Sequence, residues 1–132
     1  MEFLGNKLIS KLKPYLKTEE LDLLYEIIQS ISSLIKNSQQ YKTEIDKLGI
    51  ISSIPFYLDH PQEEIRHQTL TMIGNLSKHS DEFFDQYEKL KIFQSLKQSL
   101  EKYDLTRRVL KGTIYAIGNV SFYTERYIFM DV

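Results

Sequence analysis

Apolar residues recur at every third or fourth position along most of this chain, and the same apolar frame returns three times. Leu8, Leu12 and Leu16 align with Ile50, Ile54 and Leu58 at an offset of 42 residues, and again with Ile92, Leu96 and Leu100. Four-residue spacing puts each trio on one face of a helix. A second frame follows: Leu23, Ile27, Ile31 and Leu34 fall on Ile65, Thr69, Ile73 and Leu76, then on Val109, Thr113, Ile117 and Val120 at an offset of 44. Two extra residues near Lys102-Tyr103 account for the longer second period, and an insertion of that size belongs in a loop. Within the frame one block is nearly verbatim. Met72-Ile73-Gly74-Asn75-Leu76 returns as Ala116-Ile117-Gly118-Asn119-Val120. A period of this length in helix-like sequence is the signature of a helical repeat array.

Each unit reads as a short, a medium and a long helix. The short ones are expected near 38–48, 80–90 and 124–132, the medium ones near 4–16, 50–58 and 92–102, and the long ones near 19–36, 61–78 and 105–121. Ser38, Ser80 and Thr124 hold equivalent positions ahead of Tyr41, Phe83 and Tyr127, and their short side-chain oxygens suit helix starts. Thr18 and Asp104 read as caps of long helices, and His60-Pro61 as another start, since proline is tolerated at the first helical position. Pro14 and Pro55 oppose the pattern. An interior proline costs about 3 kcal/mol, so the medium helices should kink or start late there. The repeats then span about 1–37, 38–79 and 80–123, with 124–132 opening a further unit. That end carries Tyr127, Ile128, Phe129 and Met130, where an array normally has a polar cap, so the chain reads as a fragment of a longer one or as docking at that end.

Composition narrows the function without naming it. The chain has 132 residues, 42% of them hydrophobic and 27% charged, enough for one soluble domain that buries roughly two-thirds of its unfolded surface. The net charge of −1 makes no case for nucleic acid or an acidic membrane. With no cysteine there are no disulfides or thiolate sites, which fits the cytoplasm. No apolar run reaches the roughly 18 residues of a membrane helix, and the first residues do not resemble a signal peptide. There is no Ser/His/Asp arrangement, no phosphate loop and no acid–base pair, so the chain is read as non-enzymatic. His60 and His67 share a face, but no Cys or carboxylate cluster completes a metal site, and His79 suits a helix C-terminus. Neither a cofactor nor a small-molecule substrate is expected. The glycines Gly74 and Gly118 are expected to let helices approach closely, offsetting about 1 kcal/mol of helix propensity.

Charge divides by unit. Residues 49–90 carry three basic and seven acidic side chains, residues 91–132 seven basic and four acidic. Arg108, Lys111 and Tyr115 share a face of the last long helix, with Arg107 beside them. Two readings stand: a patch for an acidic partner segment, or a solvated helix face. Asn75 and Asn119 are likewise open. An asparagine amide donates and accepts at once, so it can hold a peptide backbone or bond a neighbouring helix. Phe122 and Tyr123, just past the long helix, are candidate exposed anchors.

Three helices in about 42 residues resembles the armadillo repeat. The stretch Gly49-Ile50-Ile51, Ile54, Tyr57-Leu58, Ile65 and Ile73-Gly74-Asn75-Leu76 follows its consensus without a gap. Ile73 through Ser80 with Phe83-Phe84, and Arg107-Arg108 followed by Tyr115-Ala116-Ile117-Gly118-Asn119, resemble the C-terminal armadillo region of Fused-type serine/threonine kinases. The resemblance implies an all-α, armadillo-type α-solenoid of about three three-helix repeats wound as a right-handed superhelix. It implies a non-catalytic scaffold, in Hedgehog-type signalling or in the ciliary central apparatus, holding a protein partner: a peptide, a helix or a neighbouring subunit. Alternatives are a permanent subunit of a ciliary or microtubule-associated assembly and a generic peptide-binding adaptor. In armadillo arrays an asparagine, with an aromatic one turn earlier, holds an extended peptide. Tyr115 and Asn119 match that pair, and Thr71 and Asn75 match it without the aromatic. Gln29 and Ser33 lack both features. Lys78 and Phe122 complete the candidate partner face.

Overall fold

The computed structural model describes residues 5–35, 42–78 and 83–123, and every regular element among them is helical. In chain order these are α1 (Gly5–Leu12), α2 (Leu21–Ile35), α3 (Lys42–Leu48), α4 (Ile54–Leu58), α5 (Glu63–Ser77), α6 (Phe84–Lys89), α7 (Ile92–Lys102) and α8 (Arg107–Tyr123). The anticipated caps Ser38, Ser80 and Thr124, His79, and residues 127–130 lie outside the described residues.

The prolines act where the chain was expected to resist. Lys13–Tyr15 leaves α1 as a 3₁₀ turn around Pro14, and a second such turn, Ile51–Ser53, precedes α4, whose first turn holds Pro55. A proline in a first turn removes no intrahelical hydrogen bond, so the cost of an interior position is avoided. Two start signals are corrected. Thr106, not Asp104, caps α8, its Oγ1 accepting the Val109 N–H at 3.2 Å. The helix after His60-Pro61 begins only at Glu63, with Gln62 extended before it and its N–H donating to His60 Nδ1. Thr18 does accept the Glu20 N–H at 3.2 Å ahead of α2.

Helices α2, α5 and α8 pack in that order, α5 between the other two, with α4 against α5 and α7. Hydrogen bonds between elements keep the period of the sequence. Tyr57 Oη donates to the Leu16 carbonyl at 2.6 Å, Asn75 to Ser32, Gln86 to Asp46, Tyr103 to the Asp59 carbonyl and Tyr115 to Asn75, in each case 40 to 44 residues apart. Glu64 near the start of α5 meets Arg108 near the start of α8, and Asn75 meets Tyr115 further on, so the two helices run in the same direction. This packing is compatible with a helical repeat.

One core runs through the stack. Leu24, Ile28, Ile50, Ile54, Tyr57, Met72, Ile92 and Ala116 are fully buried; Ile50, Ile54 and Ile92 hold positions the apolar frame marks, while on α2 the buried column falls one residue past the marked Leu23 and Ile27. Thr69 and Thr113 occupy apolar positions of the frame and are buried too. Each satisfies its hydroxyl on the carbonyl four residues back, Ile65 at 2.6 Å and Val109 at 2.8 Å. Burial also pushes the phenol of Tyr57 far above its ordinary range, although a hydrogen bond with Ser53 opposes the shift.

Left-handed backbone recurs with the period as well. Gly49 (φ 79°) and Lys91 (φ 55°) stand 42 residues apart, each at the turn that follows a short helix. Glycine takes this conformation freely; a residue with a Cβ does not. Lys91→Gly is therefore expected to raise stability by about 1 kcal/mol, because the exposed lysine side chain contributes little there. Chemical denaturation checks this: a midpoint at or below that of the parent chain refutes it.

Candidate protein-interaction face

Of the anticipated partner residues, Asn75 on α5 is turned toward α2 and α8, Tyr115 toward α5, and Asn119 along its own helix. Asn75 is 6% exposed. Its Nδ2 donates to the Ser32 side chain at 3.0 Å and to the Ser32 carbonyl at 3.3 Å, and its Oδ1 accepts from Tyr115 Oη at 2.5 Å. One amide thus joins α2, α5 and α8. Both donor hydrogens and the acceptor are engaged, which leaves no amide donor for a peptide backbone. Of the two roles open to it, Asn75 takes the neighbouring-helix one. Tyr115 rests over Gly74, and a Cβ at Gly74 would collide with its ring. Asn119, one period on, donates among the described residues only to the Tyr115 carbonyl in its own helix, at 3.1 Å, and stays half-buried.

Glycine placement departs from expectation in one case. Gly74 admits a neighbouring helix as anticipated, but among the described residues nothing lies within 4 Å of where a Gly118 side chain would begin. The close approach on the α8 side is made by Gly112 instead, where a Cβ would stand 3.1 Å from Leu70 Cβ and 3.5 Å from His67 Cδ2. His67 is accordingly desolvated, which lowers its pKa, and the nearby Arg108 charge lowers it further. Among the described residues no group of His, Cys, Asp and Glu is arranged to hold a metal ion.

The basic cluster splits in two. Arg108 forms a bidentate pair with Glu64, Nη2 to Oε2 at 2.7 Å, so its charge is committed to the α5–α8 contact. Arg107 and Lys111 are exposed on the other side of α8, and Lys78 is exposed at the end of α5. Thr71 is half-buried and donates to the His67 carbonyl at 3.2 Å. The Phe122 side chain lies outside the described residues. What remains open to a partner is Lys78, Lys111 and part of Asn119, flanked by Arg107.

One functional-looking residue escaped the sequence reading. Arg66 is buried, donates from Nη1 to the His60 and Pro61 carbonyls at 2.8 and 2.9 Å, and stacks 4.0 Å from the centroid of the Tyr103 ring. Its signal was present: Arg66 aligns with Leu24 and Leu110, an arginine at an otherwise apolar position of the repeat. Burying a guanidinium requires partners, and two carbonyls and an aromatic face supply them. Tyr103 itself sits at the two-residue insertion, so the longer period has a packing role.

No helix among the described residues is long and apolar enough to cross a membrane. Comparison with protein-family models, curated proteins and solved structures finds no match for this chain.

Proposed function

We propose that this chain is an armadillo-type α-solenoid that works as a non-catalytic protein–protein interaction module, of the kind its sequence resembles in Fused-type kinases. The observation that carries the reading is the 40-to-44-residue offset shared by the sequence repeats and by the hydrogen bonds that join successive elements. A stack built that way presents long helices side by side and offers extended faces rather than an enclosed catalytic pocket. The resemblance further suggests a scaffold role in a ciliary or Hedgehog-type assembly.

The chemistry of the exposed face favours an acidic protein segment. Arg107 and Lys111 project from α8 with no acidic partner in the described residues, in contrast to Arg108. Charges of this kind speed encounter and select partners more than they stabilise a fold. The test is photocrosslinking from positions 78 and 110 in extracts of ciliated cells, with the Arg107→Glu, Lys111→Glu double variant alongside. The parent chain should crosslink to a defined protein, and the double variant should lose roughly tenfold in that capture. Undiminished capture by the double variant would remove the basic patch. Absence of any protein crosslinked at either position would overturn the interaction reading itself.

A further inference from the structure

Among the described residues, the outer side of α8 repeats a helix seat that α5 fills on α2 and α8 fills on α5, and no helix fills it. Ile28 on α2, Leu70 on α5 and Ile114 on α8 are equivalent by the repeat offsets, and they are 0%, 1% and 63% exposed. Ser32, Gly74 and Gly118 are equivalent in the same way. Ser32 meets Asn75 of the next long helix, Gly74 meets Tyr115 of the next, and Gly118 meets nothing among the described residues. Around Ile114 and Gly118 the same side of α8 exposes Leu110, 42% open, with Arg107, Lys111 and Ser121 at three- and four-residue spacing. An apolar stripe of that kind on a helix with basic flanks is a surface for another helix.

We propose that this flank docks a helix from another protein, lying parallel to α8, and that the α5–α8 contact specifies its sequence. On α8 the contacting residues are Arg108, then Gly112 four residues later for close approach, then Tyr115 three further on to cover Gly74. The incoming helix repeats that spacing with the charge reversed. Where α5 offers Glu63 and Glu64 to Arg108, the outer side of α8 offers Arg107 and Lys111. The partner therefore carries an acidic residue, a Gly or Ala four positions on, and a Tyr or Phe three beyond that to sit over Gly118. An acidic residue near the start of that helix is also favoured by the helix dipole.

A second copy of this chain fits less well. Its α2 would have to supply the docking face, and the α2 residues equivalent to the α8 contact set, Asp22, Glu26, Gln29, Ser30 and Ser33, are exposed and polar. They match the charge of the flank but would set Ile114 against carboxylates and hydroxyls. The proposal rests on the interaction-module reading above and names the partner's chemistry.

A synthetic peptide of residues 105–123 carrying Arg107→Glu and Arg108→Glu is the probe, titrated by fluorescence anisotropy against the full chain. Saturable binding is expected, weakened at least tenfold by Gly118→Leu or Ile114→Glu in the protein and by Tyr115→Ala in the peptide. Both protein substitutions are at exposed positions, and unchanged thermal melts would show that the fold is intact. No saturation up to about 1 mM peptide overturns the proposal, as does binding indifferent to Gly118 and Ile114. Self-association of the protein that Ile114→Glu abolishes would assign the flank to a second copy. Amide shift changes from Ile114→Glu that spread through residues 124–132 would assign it to the chain's own end. Either result overturns it. If the crosslinks at positions 78 and 110 persist while the peptide fails, the flank proposal alone falls.

Discussion

Gly74→Ala should lower stability by about 2 kcal/mol, while Gly118→Ala in the same Ile-Gly-Asn block should raise it by up to about 1 kcal/mol. The first substitution places a methyl group inside the ring of Tyr115. The ring cannot simply swing away, because its hydroxyl is tied to Asn75 and its helix is packed on α5. Overpacking of this kind costs typically 1–3 kcal/mol, and losing the tyrosine hydrogen bond adds about 1 more. The better helix propensity of alanine returns about 1 kcal/mol, which leaves the net loss. At Gly118 only the propensity gain operates, because among the described residues there is nothing to strike. Paired thermal melts check both signs at once. For a chain of this size each kcal/mol moves Tm by roughly 3–5 °C. If both variants shift in the same direction, the two glycines are not in the different surroundings described here.

The contrast marks what the sequence could tell and what it could not. Repetition carried the architecture: the apolar frame at 42 and 44 residues located the three long helices α2, α5 and α8 within two residues at each end. The prolines were legible too, since a missing N–H and a fixed φ have only a few outcomes in a helix. Environment was not legible. Repeat-equivalent residues have the same neighbours only where an equivalent helix packs against them among the described residues, so Gly74 and Gly118 read alike and sit differently. The same holds for Asn75 and Asn119, and for Leu70 and Ile114. Tertiary partners separated by one period also lay beyond reach. Nothing local in the sequence said that Tyr115 points back at Asn75 rather than outward, or that Arg108 closes on Glu64 while Arg107 does not. Arg66 is the exception, because its charge broke an apolar column of the alignment and so announced a buried role.

Asn75→Ala is expected to cost about 3 kcal/mol, the other large effect. The substitution strands the Ser32 hydroxyl on one side and the Tyr115 hydroxyl on the other, and leaves a gap between three helices. Each lost or orphaned polar contact at a buried position costs about 1 kcal/mol or more. Tyr115→Phe should cost about 1 kcal/mol by removing a single donor. The informative experiment is the double-mutant cycle. If Asn75 and Tyr115 act as a pair, the double variant is little worse than Asn75→Ala alone, with a coupling of about 1 kcal/mol. Strict additivity would mean that the two side chains stabilise the helices independently and that the amide is not the joint. Asn119→Ala supplies the reference. Among the described residues its amide bonds only a carbonyl of its own helix, so its loss should cost well under about 1 kcal/mol. The difference between the two asparagines then measures the contribution of a neighbouring long helix to this position. A partner helix seated on the outer side of α8 would be expected to restore part of that difference at Asn119, as α8 does at Asn75.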